Sequence, residues 1–166
     1  MAVTVEDGSI VPNADSYVSD TDFVAHAANL GVTFPTGTDV DVLLRKAAQF
    51  IDSHEARMKG SRVQRDQALA FPRSGVVIDG WTWASTEIPR QVVLAQLAVA
   101  LDIYAGVDPY NPESASPVIK ERVEGAVEVA YANPTSFKLS KTSSSEALIN
   151  ALLKSAGMTS FNLVRA

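Results

Sequence analysis

The 166-residue chain contains no cysteine, which excludes disulfides, thiolate metal sites and cysteine nucleophiles. It has only two histidines, His26 and His54, and neither lies in a metal-binding spacing such as H-x-x-x-H or H-E-x-x-H. Ser53 cannot pair with His54 as nucleophile and base, because adjacent residues on a helix point apart. The glycines form no phosphate-binding loop. We therefore expect no enzymatic activity, no cofactor and no metal site.

Long hydrophobic runs are also missing. The longest apolar stretch, residues 92–105, is interrupted by Gln96 and Asp102 and is shorter than the roughly 20 residues that span a bilayer. The first residues lack the basic and apolar regions of a signal peptide. We expect a soluble protein with no membrane partner.

Positive charge is scarce, since the net charge is −5 and the isoelectric point is about 5.0. It is concentrated between positions 57 and 73, where five cations face one acid, Asp66, and the remainder of the chain carries −9. The five are Arg57, Lys59, Arg62, Arg65 and Arg73. This basic strip could follow a nucleic-acid backbone, or its arginines could pair with acids of a neighbouring subunit. The acidity of the whole chain favours the second interpretation.

Apolar residues at helical spacing predict three helices in the first two thirds of the chain. The first covers residues 20–30, with Ser19 as N-cap and Gly31 after its end. The second covers residues 39–58, and the third begins near Thr86 with Ser85 as its cap. A short helical turn is expected over residues 64–70. The third helix is apolar on nearly every side, so it should be the buried centre of a bundle or be buried by neighbours in an oligomer.

The last third of the chain has a different pattern. Residues 119–131 alternate between apolar and charged side chains, which predicts a β-hairpin turning at Glu124-Gly125. A capping box at Ser143 and Glu146 begins a C-terminal helix that Gly157 should end. Residues 158–166 would form an arm.

The predicted fold is therefore mainly α. It is a small helical bundle with a β-hairpin-like extension and a C-terminal helix plus an extended arm. We divide the chain into a helical core domain, residues 1–106, and an extension, residues 107–166.

Both tryptophans, Trp81 and Trp83, lie in one loop between two X-Pro-Arg triplets. They are two positions apart, and side chains alternate between the two faces of an extended chain, so an extended loop would point both tryptophans the same way. They could cover the core of their own subunit, fill a partner's pocket, or stack on bases. The residues leave these three roles open.

Three segments carry a specific resemblance: "VEDGSIVPNADSYVS" at 5–19, "ARMKGSRVQRDQALAFPRSGV" at 56–76 and "EIPRQVVLAQLAVAL" at 87–101. Together they resemble a tailed-bacteriophage family of head–tail connectors, or adaptors, often labelled DnaT-like single-stranded DNA-binding. The resemblance implies a virion protein, assembled in the host cytoplasm, that forms a ring of commonly twelve copies beneath the portal. The ring would bind the portal protein and the next tail component.

Double-stranded DNA would pass through the channel of such a ring without specific binding, and an acidic wall suits that passage. The family label implies an alternative function, a replication accessory protein that coats single-stranded DNA. For the adaptor, we expect subunit or portal contacts from the basic strip, the tryptophans and the arm. These residues are Arg57, Lys59, Arg62, Arg73, Trp81, Trp83, Phe161, Leu163 and Val164.

Overall fold

The computed structural model describes residues 2–110, 120–123, 127–130 and 144–154, with side chains described for 2–110 and 145–154. The protein is mainly α, as predicted. Its helices are α1 (Asp20–Asn29), α2 (Val40–Asp52), α3 (Arg90–Tyr104) and α4 (Ser144–Leu152). In the described part of the chain, no helix is long and apolar enough to cross a membrane.

Helix α1 begins and ends where the sequence predicts. The backbone N–H of Asp22 donates to Ser19 Oγ at 3.1 Å, and Asp20 and Asp22 lie in the positively polarised first turn. After Leu30 the chain leaves the helix through Gly31, whose φ is +77°. Phe23 and Ala27 point into the core and have no exposed surface.

Helix α2 is shorter than predicted, because it ends at Asp52 and a single 3₁₀ turn, Glu55–Arg57, follows. Two side chains at its end bond to the same carbonyl. Ser53 Oγ donates to Phe50 O at 2.6 Å, and His54 Nδ1 lies 3.0 Å from that oxygen. The two side chains are 3.2 Å apart, so the prediction that they point apart is wrong, because both residues follow the helix rather than lie in it. Side chains that bond to nearby backbone groups compete with helix propagation, which explains why the predicted extension to Met58 is wrong.

Helix α3 begins at Arg90, four residues later than predicted. Pro89, the residue before it, is not helical, since its φ is −56° and its ψ is 136°. A proline disfavours helical geometry at the residue before it, here Ile88, so the helix cannot start at Thr86. Its central position is confirmed. Helix α3 packs along both α2 and α4 and touches α1, and Val92, Ala95 and Ala100 are fully buried.

Four short strands lie between α2 and α3. Strand β1 (Ser61–Arg62) pairs antiparallel with β2 (Arg73–Ser74), and β3 (Val77–Ile78) pairs with β4 (Trp81–Thr82). The helical turn predicted for residues 64–70 is wrong, since this segment consists of turns and bends. The β3–β4 hairpin was not predicted, although Asp79-Gly80 is a strong hairpin signal. Both residues have positive φ, +54° and +81°, as the two central residues of a type I′ hairpin turn require.

The predicted extension hairpin is confirmed as β5 (Lys120–Val123) paired antiparallel with β6 (Val127–Ala130), in a register that places Lys120 opposite Ala130. The turn predicted at Glu124-Gly125 lies outside the described residues, as does the arm predicted for residues 158–166. Helix α4 completes the main core, because Ile149 and Leu152 are buried in the same cluster as the side chains of α2 and α3.

Candidate functional site

Arg73 is an interior residue rather than part of an exposed basic strip. Its side chain is 6% exposed. The guanidinium donates to Lys59 O at 2.9 Å, Gly60 O at 3.1 Å and Ala70 O at 3.3 Å. A fourth bond, 3.3 Å long, reaches Glu55 Oε1. Only arginine offers a planar fork of donors that can serve several acceptors at once, so Arg73 holds the loop between α2 and β3 together.

Arg62 also bonds within its own chain. Its guanidinium forms a two-pronged ion pair with Glu55, in which Nη2 and Oε2 are 2.7 Å apart, and Nη1 donates to Gln67 O at 2.8 Å. The hydrogen bonds from Arg62 hold the pKa of Glu55 below its ordinary value. Glu55 thus neutralises part of the charge of two arginines, so at these positions the strip pairs with an acid of its own chain.

Lys59 ties the C-terminal helix to the loop after α2. Its ammonium donates to Ala151 O at 2.8 Å, and its backbone N–H donates to Leu152 O at 2.9 Å. The backbone N–H of Lys154 in turn donates to Arg57 O at 2.8 Å. A cation at the C-terminal end of a helix bonds carbonyls that have no partner within the helix and favours the dipole. Lys59 therefore has a structural role.

The basic strip is thus much weaker at the surface than its composition indicates. Of its five members, Lys59, Arg62 and Arg73 bond within the subunit, whereas Arg57 and Arg65 are exposed. The structure does not bring the two exposed arginines together with the tryptophans in any contact that it describes. A continuous cationic groove is absent from this part of the described chain.

The first resemblance segment forms a loop organised by a buried carboxylate. Glu6 is 1% exposed, and its oxygens accept backbone N–H groups from Gly8, Ile10 and Val11, each at 2.9 Å. Gly8 has a φ of +102°, and a Cβ added there would lie 2.1 Å from Thr86 O. Only glycine permits that approach. The contact between Gly8 and Thr86 therefore fixes the segment against the chain just before α3.

A second polar cluster joins this segment to the helices. Tyr17 Oη donates to Asp52 Oδ1 at 2.7 Å, and Ala70 N donates to Asp52 Oδ2 at 3.0 Å. Burial raises the pKa of Asp52 to about 6 and raises the pKa of Tyr17 as well. The amide of Gln96, which has no exposed surface, accepts from Tyr17 N at 2.8 Å and donates to Leu44 O at 2.9 Å.

Sequence reasoning did not identify these buried polar residues. One signal was available: Gln96 interrupts an otherwise apolar helix, and a buried amide must find hydrogen-bond partners. Asp52 and Glu6 carried no comparable signal, because an isolated acid on a helix or in a loop is ordinarily a surface residue. The motif residues that resemble a known family are therefore largely those that build the fold.

The two tryptophans do not share one environment, contrary to the prediction for an extended loop. Trp83 packs against the core and its backbone N–H donates to Val76 O at 3.0 Å. Trp81, at the turn of the β3–β4 hairpin, is 77% exposed. Strand β4 ends at Thr82, so the extended geometry that this prediction needs does not continue to Trp83. Trp81 is the largest exposed side chain among the described residues.

An open apolar groove of about 400 Å³ lies between α1, α3 and α4. Two polar residues, His26 and Asp102, complete its lining, and Asp102 Oδ2 accepts from Ser145 Oγ at 2.6 Å. The apolar lining residues are Leu30, Leu94, Ala98, Leu101 and Leu148. The groove leaves one side of the apolar helix α3 half-covered.

No group of three His, Asp or Glu residues that could hold a metal ion occurs within the described ranges. The predicted arm residues Phe161, Leu163 and Val164 lie outside them. The described surface presents an exposed indole and an apolar groove, and the basic strip adds two exposed cations to it. Such a surface is suited to protein contacts more than to phosphate binding.

Comparison with known proteins places the chain in a protein family. The model of a family described as "Putative DnaT-like ssDNA binding protein" matches residues 1–166. No curated protein and no solved structure matches the chain.

Proposed function

The chain belongs to the DnaT-like ssDNA binding protein family, and we propose that this member is a structural virion protein, a head–tail adaptor. In this proposal it forms a ring, commonly of twelve copies, beneath the portal of a tailed phage. The ring binds the portal protein on one side and the next tail component on the other. It has no enzymatic activity, and its place after assembly is the neck of the virion.

The observation that carries the proposal is the internal use of the basic strip. A protein that coats single-stranded DNA needs exposed cations along a groove, because phosphate neutralisation supplies most of its affinity. Here Lys59, Arg62 and Arg73 bond to Glu55 or to backbone carbonyls. Residues 2–110 contain 8 basic and 14 acidic residues, a net charge of −6.

An acidic subunit is compatible with a DNA conduit. A negative wall repels phosphates, so double-stranded DNA passes through without specific binding. The exposed apolar groups support protein contacts, since Trp81, Leu30 and Val77 are 77%, 60% and 46% exposed. Exposed aromatic and aliphatic side chains of this kind are enriched at protein interfaces.

Two measurements test the proposal. The first is direct: purified protein is mixed with portal rings from the same phage genome and examined by sedimentation and electron microscopy. We expect a ring attached to one end of the portal. Failure to join portal rings under conditions in which the protein itself assembles would contradict the adaptor function.

The second measurement is the salt dependence of binding to a single-stranded oligonucleotide. Arg57 and Arg65 are the exposed members of the strip, so the strip should contribute no more than about −1.4 to the slope of log K against log salt, since each neutralised phosphate contributes about −0.7. A much steeper slope with tight binding would favour the single-stranded DNA-binding function in the family's description over the adaptor function.

That description defines the second candidate function, a single-stranded DNA-binding accessory protein. One structural observation favours it: Trp81 is exposed on a hairpin and could stack on a base, a contact worth roughly 1–3 kcal/mol. Trp81→Ala would then weaken oligonucleotide binding by the lost stacking energy, about 5- to 150-fold. Under the adaptor proposal the same variant leaves the weak, salt-sensitive binding nearly unchanged, because an indole neutralises no phosphate.

A further inference from the structure

We propose that Trp81 of one copy inserts into the groove between α1, α3 and α4 of a second copy. This head-to-tail contact would be the anchor of self-assembly. The inference rests on the proposed ring for its biological setting, but its physical basis is the complementarity of two surfaces on the same chain.

The first surface is the exposed indole of Trp81 on the β3–β4 hairpin, which we call the knob. Trp81 lies beside the Asp79-Gly80 turn, and its cross-strand partner Ile78 is 2% exposed and anchors the hairpin in the core. Val77 on the same hairpin is 46% exposed. A tryptophan has few rotatable bonds, so fixing it in a contact costs little conformational entropy.

The second surface is the groove, which has the size and chemistry to receive an indole. Its volume of about 400 Å³ lies within the range of sites that enclose small ligands, roughly 300–1,000 Å³. Five of its seven lining residues are aliphatic. An indole has one polar group, Nε1–H, which needs an acceptor when buried. The carboxylate of Asp102 supplies one, because a carboxylate can accept bonds besides that from Ser145.

The indole and the groove belong to different parts of the subunit. The hairpin precedes α3, whereas the groove runs along α3 from Leu94 to Asp102 and includes side chains of α1 and α4. Trp81 is 77% exposed, so it does not fill its own groove. A contact between two different patches is heterologous, and repetition of such a contact generates a ring when the rotation closes.

The knob alone is too small for a stable interface. A tryptophan buries about 150–250 Å², whereas specific interfaces bury above about 1,000 Å². The rest of the contact can supply further area, since Leu30, which follows α1 and lines the groove, and Val24 on α1 are 60% and 44% exposed, and Val77 accompanies Trp81. Trp81 would therefore act as the energetic centre of a larger contact, as buried tryptophans often do.

The proposal is tested with one variant on each surface. Trp81→Ala removes the knob, and Ala98→Phe fills the groove. Each variant alone should weaken self-association, measured by analytical ultracentrifugation, by at least about 30-fold. Tyr110→Ala is the matched control, because Tyr110 is 62% exposed but belongs to neither surface, and it should assemble as the wild type does. Urea unfolding of each variant verifies that it is folded.

Mixing the two variants gives a sharper result. Trp81→Ala retains the groove and Ala98→Phe retains the knob, so an equimolar mixture has one intact contact and should form dimers that grow no further. A separate measurement uses a Trp83→Phe background, in which Trp81 is the remaining tryptophan. Its fluorescence emission maximum should move to shorter wavelength as the protein assembles, because the indole leaves water. Larger assemblies in the mixture, or no dimers, would contradict the head-to-tail contact.

The result that would overturn the inference is wild-type assembly by Trp81→Ala, or a wild-type chain that stays monomeric at all concentrations. These outcomes are separable from failure of the proposed function. If Trp81→Ala still forms rings that join the portal, the knob contact is refuted and the adaptor function stands. If the wild type assembles through Trp81 but ignores portal rings, the contact stands and the adaptor function fails.

Discussion

Replacing Arg73 by lysine distinguishes a structural cation from a surface cation, because it preserves the charge and removes the planar fork. Arg73 makes four hydrogen bonds, three of them to backbone carbonyls, in a site where it is 6% exposed. A lysine ammonium cannot serve these spread acceptors together. Losing two of the four charge-assisted bonds should cost about 3 kcal/mol of the free energy of unfolding, at about 1.5 kcal/mol or more each.

The assay is urea unfolding followed by far-ultraviolet circular dichroism. With a denaturant slope of about 2 kcal/mol per molar, the Arg73→Lys midpoint should fall by about 1.5 M. Arg65→Lys is the control, since Arg65 is exposed and belongs to the same strip. Its unfolding free energy should change by less than about 0.5 kcal/mol.

The structural role of Arg73 is refuted if the Arg73→Lys midpoint lies within about 0.3 M of the wild-type midpoint. The midpoint of the Arg65→Lys control should lie within that range. A phosphate-binding or partner-binding role for Arg73 predicts that outcome, because lysine would keep the charge at the surface without disturbing the fold. The experiment therefore tests directly whether the basic strip is part of the architecture.

Three further substitutions test two buried polar groups, Asp52 and Gln96, and the close approach of Gly8 to Thr86. The pKa of Asp52 is raised from 3.8 to about 6, so the folded state binds more protons than the unfolded state between these values and stability falls as pH rises through them. In urea titrations the free energy of unfolding of Asp52→Asn should therefore rise by about 2 kcal/mol relative to the wild type between pH 4 and pH 7, and a constant difference would contradict the raised pKa. Gly8→Ala should destabilise by about 2–4 kcal/mol because its Cβ would strike Thr86 O, whereas Gly75→Ala, with nothing within 4 Å, should cost about 1 kcal/mol in the same thermal or urea unfolding assay. Gln96→Leu should cost about 3 kcal/mol in that assay, because it leaves buried backbone groups unpaired, and near-wild-type stability would show that water replaces the amide.

Helix positions could be predicted from the sequence because their signals are local. The cap at Ser19 and the glycine after α1 identify that helix to within a residue, and the apolar run of residues 92–105 identifies the central helix. The boundaries that failed depended on finer local competition. Ser53 and His54 bond to Phe50 O and end α2 early, and Pro89 delays the start of α3.

The candidate site was only partly predictable. The basic strip could be read from the sequence, but its partners could not, because Glu55 lies 7 residues from Arg62 and 18 from Arg73. Nor could the groove be predicted as a feature, since it requires side chains from α1, α3 and α4 to meet. Long-range proximity of this kind is a property of packing, not of spacing along the chain.

The sequence by itself determined the helical class, the confirmed hairpin of the extension, the acidic balance and the absence of cysteine chemistry, because composition and local periodicity act within a few residues. Only the tertiary structure decided which cations are exposed and which tryptophan faces solvent. Burial depends on what the folded chain brings against each side chain. Arg73 and Arg65 are the same residue type eight positions apart, and packing alone makes one a core hydrogen-bond donor and leaves the other in water.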